Sequence, residues 1–577
     1  MDDMQGVDEP IIPETPATGG QDDAQAGRRM ALGALIISFF LFLGKISSYA
    51  RSMLIAGWFG GPSQIAKADA FYKIQDVIVS GTYSNFEKIM RPAYLPQFVR
   101  EKNQGDEAQA WRLNSYFSNL LLLTLLGLTV LVEVFAPQIV FWLWRKLASD
   151  PENFQVAVLL VRVMVPTVIP LTMSLMPELT LHAYKRFTIP AVADFLYRTS
   201  LVVGLVMGIF FLWNPQQPNA ILAAALGVII GGSLRFIGML PGVWQQLKHW
   251  RPILRPSQAP GAKTVLGLVP PVLVGMAAAY MRGIADTVYT DRIGSGMYSY
   301  LKWARQMGDS SLQILPLAVS FVVYPFLSEW AARNEKDKLA EALVGMTRVM
   351  AFIFLPISVA LMFMARPVIT IMFEHGDLTP EGASLSALAL FCYAPGLLFF
   401  ALEGSINKWY FAMQDTKTPN YWGAAMAFLN MLIGYVGVMV LWRNGMISDG
   451  LALAAVALAT TISKSLKVIV LYGLIRRRIG AIDKRKALLF AAKLGLATLL
   501  MGIVIYFIGR GLEPSLAAWQ PPFAAQKMRM LALTTAVSLG GGAVFLVSAA
   551  CLKLEELTMI VGYVARKVRG KLARRSG

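Results

Sequence analysis

Apolar residues run in long blocks along nearly the whole chain, and short polar or charged tracts separate them. A helix rising about 1.5 Å per residue needs about twenty apolar residues to cross a hydrocarbon layer of about 30 Å. On that measure fourteen spans are expected, near 31–57, 68–94, 113–139, 155–181, 189–213, 218–243, 262–287, 297–326, 343–370, 385–412, 420–442, 450–475, 486–509 and 528–555. The second and eighth are weakly apolar. The expected fold class is an all-α polytopic membrane protein.

The tracts between spans alternate in charge, and short cationic loops stay on the cytoplasmic side. Arg100, Lys102 and Arg112 follow the second span, Lys185 and Arg186 the fourth, and Lys248, Arg251, Arg255 and Lys263 the sixth. Arg333, Lys336, Lys338 and Arg348 follow the eighth, "RRRIGAIDKRK" (476–486) the twelfth, and "RKVRGKLARR" (566–575) the last. The opposite tracts are poorer, although Arg145, Lys146, Arg292 and Arg443 lie in or near them. Both termini are therefore expected in the cytoplasm, and the even number of spans agrees.

Two landmarks share one offset. Pro96 in "AYLPQFVREKNQGDEAQA" matches Pro325 in "VVYPFLSEWAARNEKDKL", and Pro190 in "ELTLHAYKRFTIPAVAD" matches Pro419 in "NKWYFAMQDTKTPNYWG", each 229 residues on. The pattern predicts two six-helix lobes in parallel pseudo-repeat plus two C-terminal helices. The expected boundaries are a disordered acidic tail (1–27), an N-lobe (28–250), a C-lobe (251–480), the last two spans (481–560) and a basic tail (561–577). A cleft between such lobes is the natural binding place.

Composition narrows the function. The chain of 577 residues is 56% hydrophobic and 15% charged. Its net charge of +18 sits in the tracts between apolar runs, which argues against a nucleic-acid partner. Cys392 and Cys551 lie in apolar surroundings, and His182, His249 and His375 are far apart, so no disulfide framework or metal site is expected. No nucleotide-binding loop or metalloprotease motif occurs.

Charges inside the spans are costly and usually line a cavity or pathway. The first span holds Lys45 and Arg51, about 120° apart on a helix, so both can border one groove. The second holds Asp69, Asp76, Glu87, Lys88 and Arg91; the seventh, Arg282, Asp286 and Arg292; the eighth, Lys302, Arg305 and Asp309. A water-filled cavity with a cationic floor is expected. Arginine's planar fork and lysine's point charge both suit phosphate oxygens. Asp69, Glu87, Asp286, Asp309 and Asp194 are candidates for a gate or for coupling to H⁺ or Na⁺. Gly44, Gly81, Pro166, Pro170, Pro270 and Pro271 mark places where helices can bend.

"GKISSYARSMLIAGWFG" (44–60), "ADAF" (68–71) through "AYLP" (93–96), "HAYKRFTIPA" (182–191), "FEHGDLTPEG" (373–382) and "QDTKTP" (414–419), in this order, are landmarks of one family. The chain resembles the MurJ (MviN) family of lipid II flippases within the MOP exporter superfamily. The resemblance implies an inner-membrane flippase that moves undecaprenyl-pyrophosphate-linked peptidoglycan precursor outward for cell-wall biogenesis. It implies that Lys45, Arg51 and Arg305 contact the pyrophosphate or its surroundings, with Asp69 and Glu87 near the gate; the charge pattern within the spans adds Arg91 and Arg282 as further candidate substrate cations. The family's second helix usually carries arginines where Thr82 and Tyr83 stand here. The partners expected are the lipid-linked anionic glycan and membrane lipids, with the protein a monomer. Two other readings are a MOP-type exporter of small molecules coupled to cations and a non-transporting scaffold. An enzyme is not expected, because no tract between spans is long enough for a polar catalytic domain.

Overall fold

The computed structural model describes residues 20–103, 107–311, 323, 326–479, 484–517 and 523–559. Residues 1–19, Pro325, much of the C-terminal half of the expected eighth span, 480–483 and the basic tail lie outside the described residues.

Every regular element among the described residues is helical, as a bilayer requires when each backbone polar group must find its partner within the segment. The first part of the chain forms α1 (Gly20–Phe59), α2 (Ile65–Ile74), α3 (Ser80–Asn103), α4 (Glu107–Val134), α5 (Ala136–Leu143) and α6 (Arg145–Ala148). These lead into α7 (Pro151–Met164), α8 (Val168–Met173), α9 (Leu175–Ala183), α10 (Thr188–Phe211) and α11 (Leu222–Val243). Beyond them lie α12 (Ala262–Ile293), α13 (Met297–Ser311), α14 (Lys336–Phe363), α15 (Ala365–Phe373) and α16 (Pro380–Tyr393). The chain continues with α17 (Leu397–Ala412), α18 (Lys417–Tyr435), α19 (Asp449–Ile479), α20 (Lys484–Ala517) and α21 (Phe523–Cys551). Residues 20–27, expected within a disordered tail, are the first turns of α1.

Eleven helical segments among the described residues are long and apolar enough to cross a membrane, and a twelfth is added if α12 counts as one span despite a 53° bend near Pro270. The second expected span falls short because α2 and α3 carry charges that point at other helices rather than at lipid. Lys73, for example, pairs with Asp69 and Asp291 at 2.9 Å each, with all three side chains at most 2% exposed. The eighth falls short for the same reason and also runs beyond the described residues. Elsewhere large apolar side chains face outward, with Phe210 and Phe211 at 74% and 76% exposure, as lipid contact demands.

The spacing seen in the prolines extends to the helices. α4 and α14, α7 and α16, and the 3₁₀ turns Val165–Thr167 and Ala394–Gly396 are each displaced by 229 residues at both ends. Each 3₁₀ turn holds a proline, Pro166 or Pro395, which cannot donate to the preceding turn. Asp150 and Thr379, also 229 apart, cap α7 and α16 by accepting backbone N–H groups. Lys185 and Gln414, again 229 apart, both adopt left-handed backbone (φ 59° and 58°). α10 and α11 approach closely through small residues: a Cβ on Gly204 would lie 2.4 Å from the Cα of Gly227. α20 and α21 pack on each other and on α14 through Leu494, Met501, Ile505, Phe545 and Phe352.

Contacts between residues before and after position 250 are dense at the end of the bundle that carries the α1–α2 turn. Trp303 on α13 stacks on Phe373 of α15 at 5.6 Å and donates to the Tyr72 hydroxyl at 3.2 Å. Asp69 accepts from Ser299 N at 2.7 Å, and Asp377 N donates to the Gly57 carbonyl at 2.8 Å. Trp144 donates to Thr287 at 3.1 Å. This end is sealed.

Candidate functional site

Beneath the seal lies a chamber of about 250 Å³ between the two parts of the chain. α1 contributes Lys45 and Arg51, α10 contributes Arg198, and α13 contributes Lys302, Arg305 and Asp309. Asp76 enters from a π-helical turn (Gln75–Val79) joining α2 to α3, a widening of the kind often found at functional sites. Gln306 ties the wall together, accepting from Ser52 at 2.7 Å while its backbone carbonyl accepts from Tyr49 at 3.3 Å.

The chamber's charges are not equally committed. Lys302 pairs with Asp76 at 2.5 Å, Arg198 with Asp194 at 2.7 Å and Arg305 with Asp286 at 2.8 Å. Lys45 and Arg51 have no carboxylate within ion-pair distance among the described residues. Arg51 donates to Gln75 at 3.1 Å, and its Nε is buried without a partner. Arg305 Nε is likewise buried and unpartnered. Asp309 accepts from the Tyr393 hydroxyl at 2.8 Å and has no cation within ion-pair distance among the described residues. A desolvated donor without an acceptor costs about 1–3 kcal/mol, so the chamber is primed for an anion that supplies several oxygens.

Two other charged groups adjoin it. Lys88, Arg282, Lys464 and Lys467 face a second cavity of about 290 Å³, with Glu403 the carboxylate on its wall. Glu403 holds Lys467 at 2.7 Å and Lys464 at 3.7 Å. Arg282 stands 3.9 Å from Asp286, the carboxylate that also serves Arg305, so one buried acid answers a cation from each cavity. Separately, Glu178 joins Arg91 at 2.7 Å and Arg235 at 2.9 Å, while Glu87 takes Arg91 at 2.8 Å.

The structure thus brings Lys45, Arg51, Arg305 and Asp309 of the expected residues into one chamber. Asp286 and Asp194 stand behind it as counter-ions. Arg282 lines the second cavity. Arg91 and Glu87 belong to the Glu178 network, and Asp69 is locked under Lys73. Sequence reasoning passed over Arg198 and Arg235, although both are arginines inside apolar spans, the signal used for Lys45 and Arg51. Among the described residues no group of three or more His, Cys, Asp or Glu side chains could hold a metal ion.

Likenesses to known proteins point one way. The family model described as lipid II flippase MurJ matches residues 85–518. The lipid II flippase MurJ of Burkholderia cenocepacia is 27% identical over 416 residues, which span 71% of this chain and 79% of that protein. The probable lipid II flippase MurJ of Vibrio cholerae is 24% identical over 541 residues, 90% of this chain and 95% of that one. Among solved structures, a lipid II flippase MurJ in an inward closed conformation matches with a TM-score of 0.69 at 20% identity, covering 89% of this chain and 98% of the other. An inward-facing multidrug resistance MATE family transporter of the MOP superfamily matches at 0.60 and 13% identity, covering 76% and 94%. At these identities the solved structures speak for the fold. The family model covers about three quarters of the sequence, so the chain belongs to the MurJ family of lipid II flippases.

Proposed function

We propose that the protein is an alternating-access flippase that carries a polyprenyl-pyrophosphate-linked glycan, lipid II, from the inner to the outer leaflet of the bacterial cytoplasmic membrane. The carrying observation is that Lys45 and Arg51 line a chamber shared by both parts of the chain and, among the described residues, have no carboxylate of their own. Their unanswered charge, with the spare donor of Arg305, suits a diphosphate. The present chamber is smaller than the ~300–1,000 Å³ of typical small-ligand sites, so it must widen toward the open end to admit a glycan.

The architecture behind this reading is fourteen spans, counting α2–α3 and the segment that begins with α13. Residues 28–250 and 251–480 form two lobes, the α20–α21 pair falls within 481–560, and the tails 1–27 and 561–577 lie in the cytoplasm. The 229-residue displacement of successive helices supports the lobes. The cationic tracts support the orientation, which sets the sealed end outward. In the cycle the head group enters from the cytoplasm, Lys45, Arg51 and Arg305 neutralise its phosphates, the lobes rock, and the lipid leaves sideways as a monomeric protein reopens inward. An inside-negative potential favours outward movement of an anion by about 2.3 kcal/mol per charge per 100 mV, so the membrane potential can drive the step. Asp309, without a paired cation among the described residues, is the first candidate for coupling to H⁺ or Na⁺; Asp286, Asp194, Glu87 and Asp69 already hold cations.

Purified protein in liposomes, given defined polyprenyl-pyrophosphate glycans, tests the proposal. Flipping that is absent from wild type, or equal in wild type, Lys45→Ala and Arg51→Ala, overturns it.

A further inference from the structure

Arg145, Lys146, Arg292 and Arg443 stand out as cations in tracts where few are expected, and the fold gathers all four around one cavity of about 640 Å³. Arg145 and Lys146 open α6, Arg292 lies in the last turn of α12, and Arg443 follows a π-helical segment, Val436–Trp442. None of them has a carboxylate within ion-pair distance among the described residues. The nearest acid in sequence, Asp291, is already committed: it pairs with Lys73 at 2.9 Å and accepts the backbone N–H of Lys146 at 2.9 Å. Arg292 Nε is buried with no partner. Four like charges held together repel one another, and an anion among them removes that cost.

The rest of the cavity says which anion. Val438, Met439 and Trp442 form its apolar wall. Beside it Trp142, 64% exposed, lies 5.3 Å from the Arg145 guanidinium. Exposed tryptophan next to cations marks the headgroup level of a bilayer. A soluble anion has no use for an apolar wall at that depth, whereas a phospholipid offers a phosphate and an acyl chain together.

We infer that this cavity binds an anionic phospholipid, with its phosphate among Arg145, Lys146, Arg292 and Arg443 and its chain along Met439 and Trp442. The site lies apart from the chamber and needs neither the cargo assignment nor a particular orientation. Because its cations come from both parts of the chain, the bound lipid spans the sealed end.

The test is native mass spectrometry of the detergent-purified full chain, titrated with phosphatidylglycerol, phosphatidylcholine of the same chains, or inorganic phosphate. Wild type should prefer phosphatidylglycerol over phosphatidylcholine, and Arg443→Gln and Arg145→Gln should each weaken that binding about fivefold, with the double variant weaker still. Both side chains are exposed, and an unchanged melting curve in phosphatidylcholine reports that each variant folds. Equal binding of both lipids by wild type, equal phosphatidylglycerol binding by wild type and the double variant, or displacement of the lipid by equimolar inorganic phosphate overturns the inference. If a variant melts early, loss of the wild-type lipid preference in high salt decides in its place, and a preference that salt leaves intact counts against the site.

Discussion

Asp286 Oδ2 lies 2.8 Å from Arg305 and 3.9 Å from Arg282, so one carboxylate on α12 answers cations in two cavities. The contact to Arg305 is an ion pair without an aligned hydrogen bond, since Oδ2 accepts none. Arg305 therefore keeps donors for a ligand while its charge is balanced at rest. Asp286→Asn leaves a largely buried guanidinium unanswered, and the expected loss of stability is on the order of 3 kcal/mol. A thermal melt of the purified protein measures it. Asp286→Asn combined with Arg305→Gln should recover most of that loss while remaining unable to flip cargo; no recovery would mean that the pair is not coupled.

Lys45 and Arg51 behave differently because no acid among the described residues holds them. Their removal costs the protein little and the ligand much. Lys45→Ala and Arg51→Ala are each expected to slow flipping about 10- to 100-fold, the worth of one charged hydrogen bond, at unchanged abundance. Lys45→Arg should retain most activity, since the positive charge and its donors stay on the chamber wall. Flipping assays normalised to folded protein separate these outcomes from a packing defect.

Lys45 and Arg51 were legible in the sequence because a cation within an apolar run is too costly to keep unless it serves a cavity, a pathway or an ion pair. Arg305 and Asp309 were legible for the same reason. Pairing was not: nothing in "ADTVYTDR" tells that Asp286 serves α13 while Asp291 serves α2. The span count was harder for a related cause. α2 and the π-helical turn after it are polar in composition because Lys67, Asp69, Lys73 and Asp76 all reach partners on other elements, and a hydropathy window reads such inward charges as water exposure. The 229-residue offset, visible in two prolines, proved to run through helix ends and caps, since backbone geometry outlasts side-chain identity.

The seal depends on Gly376. Its φ of +61° disfavours any Cβ, and an added Cβ would lie 2.2 Å from the Gly57 carbonyl oxygen. Gly376→Ala adds about 1–2 kcal/mol of backbone strain to the closed form before the clash is counted. In a chain lacking Cys392 and Cys551, a cysteine at Ser48 on the chamber wall reports access. A membrane-impermeant thiol reagent applied at the sealed end should label it faster in Gly376→Ala than in the parent. Equal labelling would show that the α1 contact does not gate the chamber.

His375 adds a pH dependence to the same contact. It lies in the turn after α15, outside the spanning helices; its ring packs on Gly57, and burial holds its pKa below the ordinary value, helped by Lys527. Opening the seal would return the ring to about 6.5. The open form then binds the proton more readily, so closure is fully favoured above about pH 6.5 and weakens as pH falls through that value toward the lower pKa of the closed form. Labelling of the Ser48 cysteine should rise as pH drops from about 7.5 to about 5.5. His375→Gln should flatten the profile, and an unchanged slope would remove His375 from the gate.

Arg91 offers the sharpest contrast with Lys45. Its place among the charges of the second span made it a candidate substrate cation, yet it is held by Glu87 and Glu178, and Arg235 completes a set of two arginines and two glutamates. Tyr83 donates to Glu178 at 3.1 Å, so this residue, standing where the family carries an arginine, is spent inside the network. A set in charge balance has nothing left for a phosphate, but it does tie α3 to α9 and α11. Arg91→Ala is therefore expected to lower the melting temperature and leave flipping per folded molecule unchanged. Adding Glu87→Gln should restore part of the melting loss by removing the stranded charge. A flipping defect in Arg91→Ala as large as that of Lys45→Ala, in protein of equal stability, would return Arg91 to the cargo path and show that the network opens during the cycle.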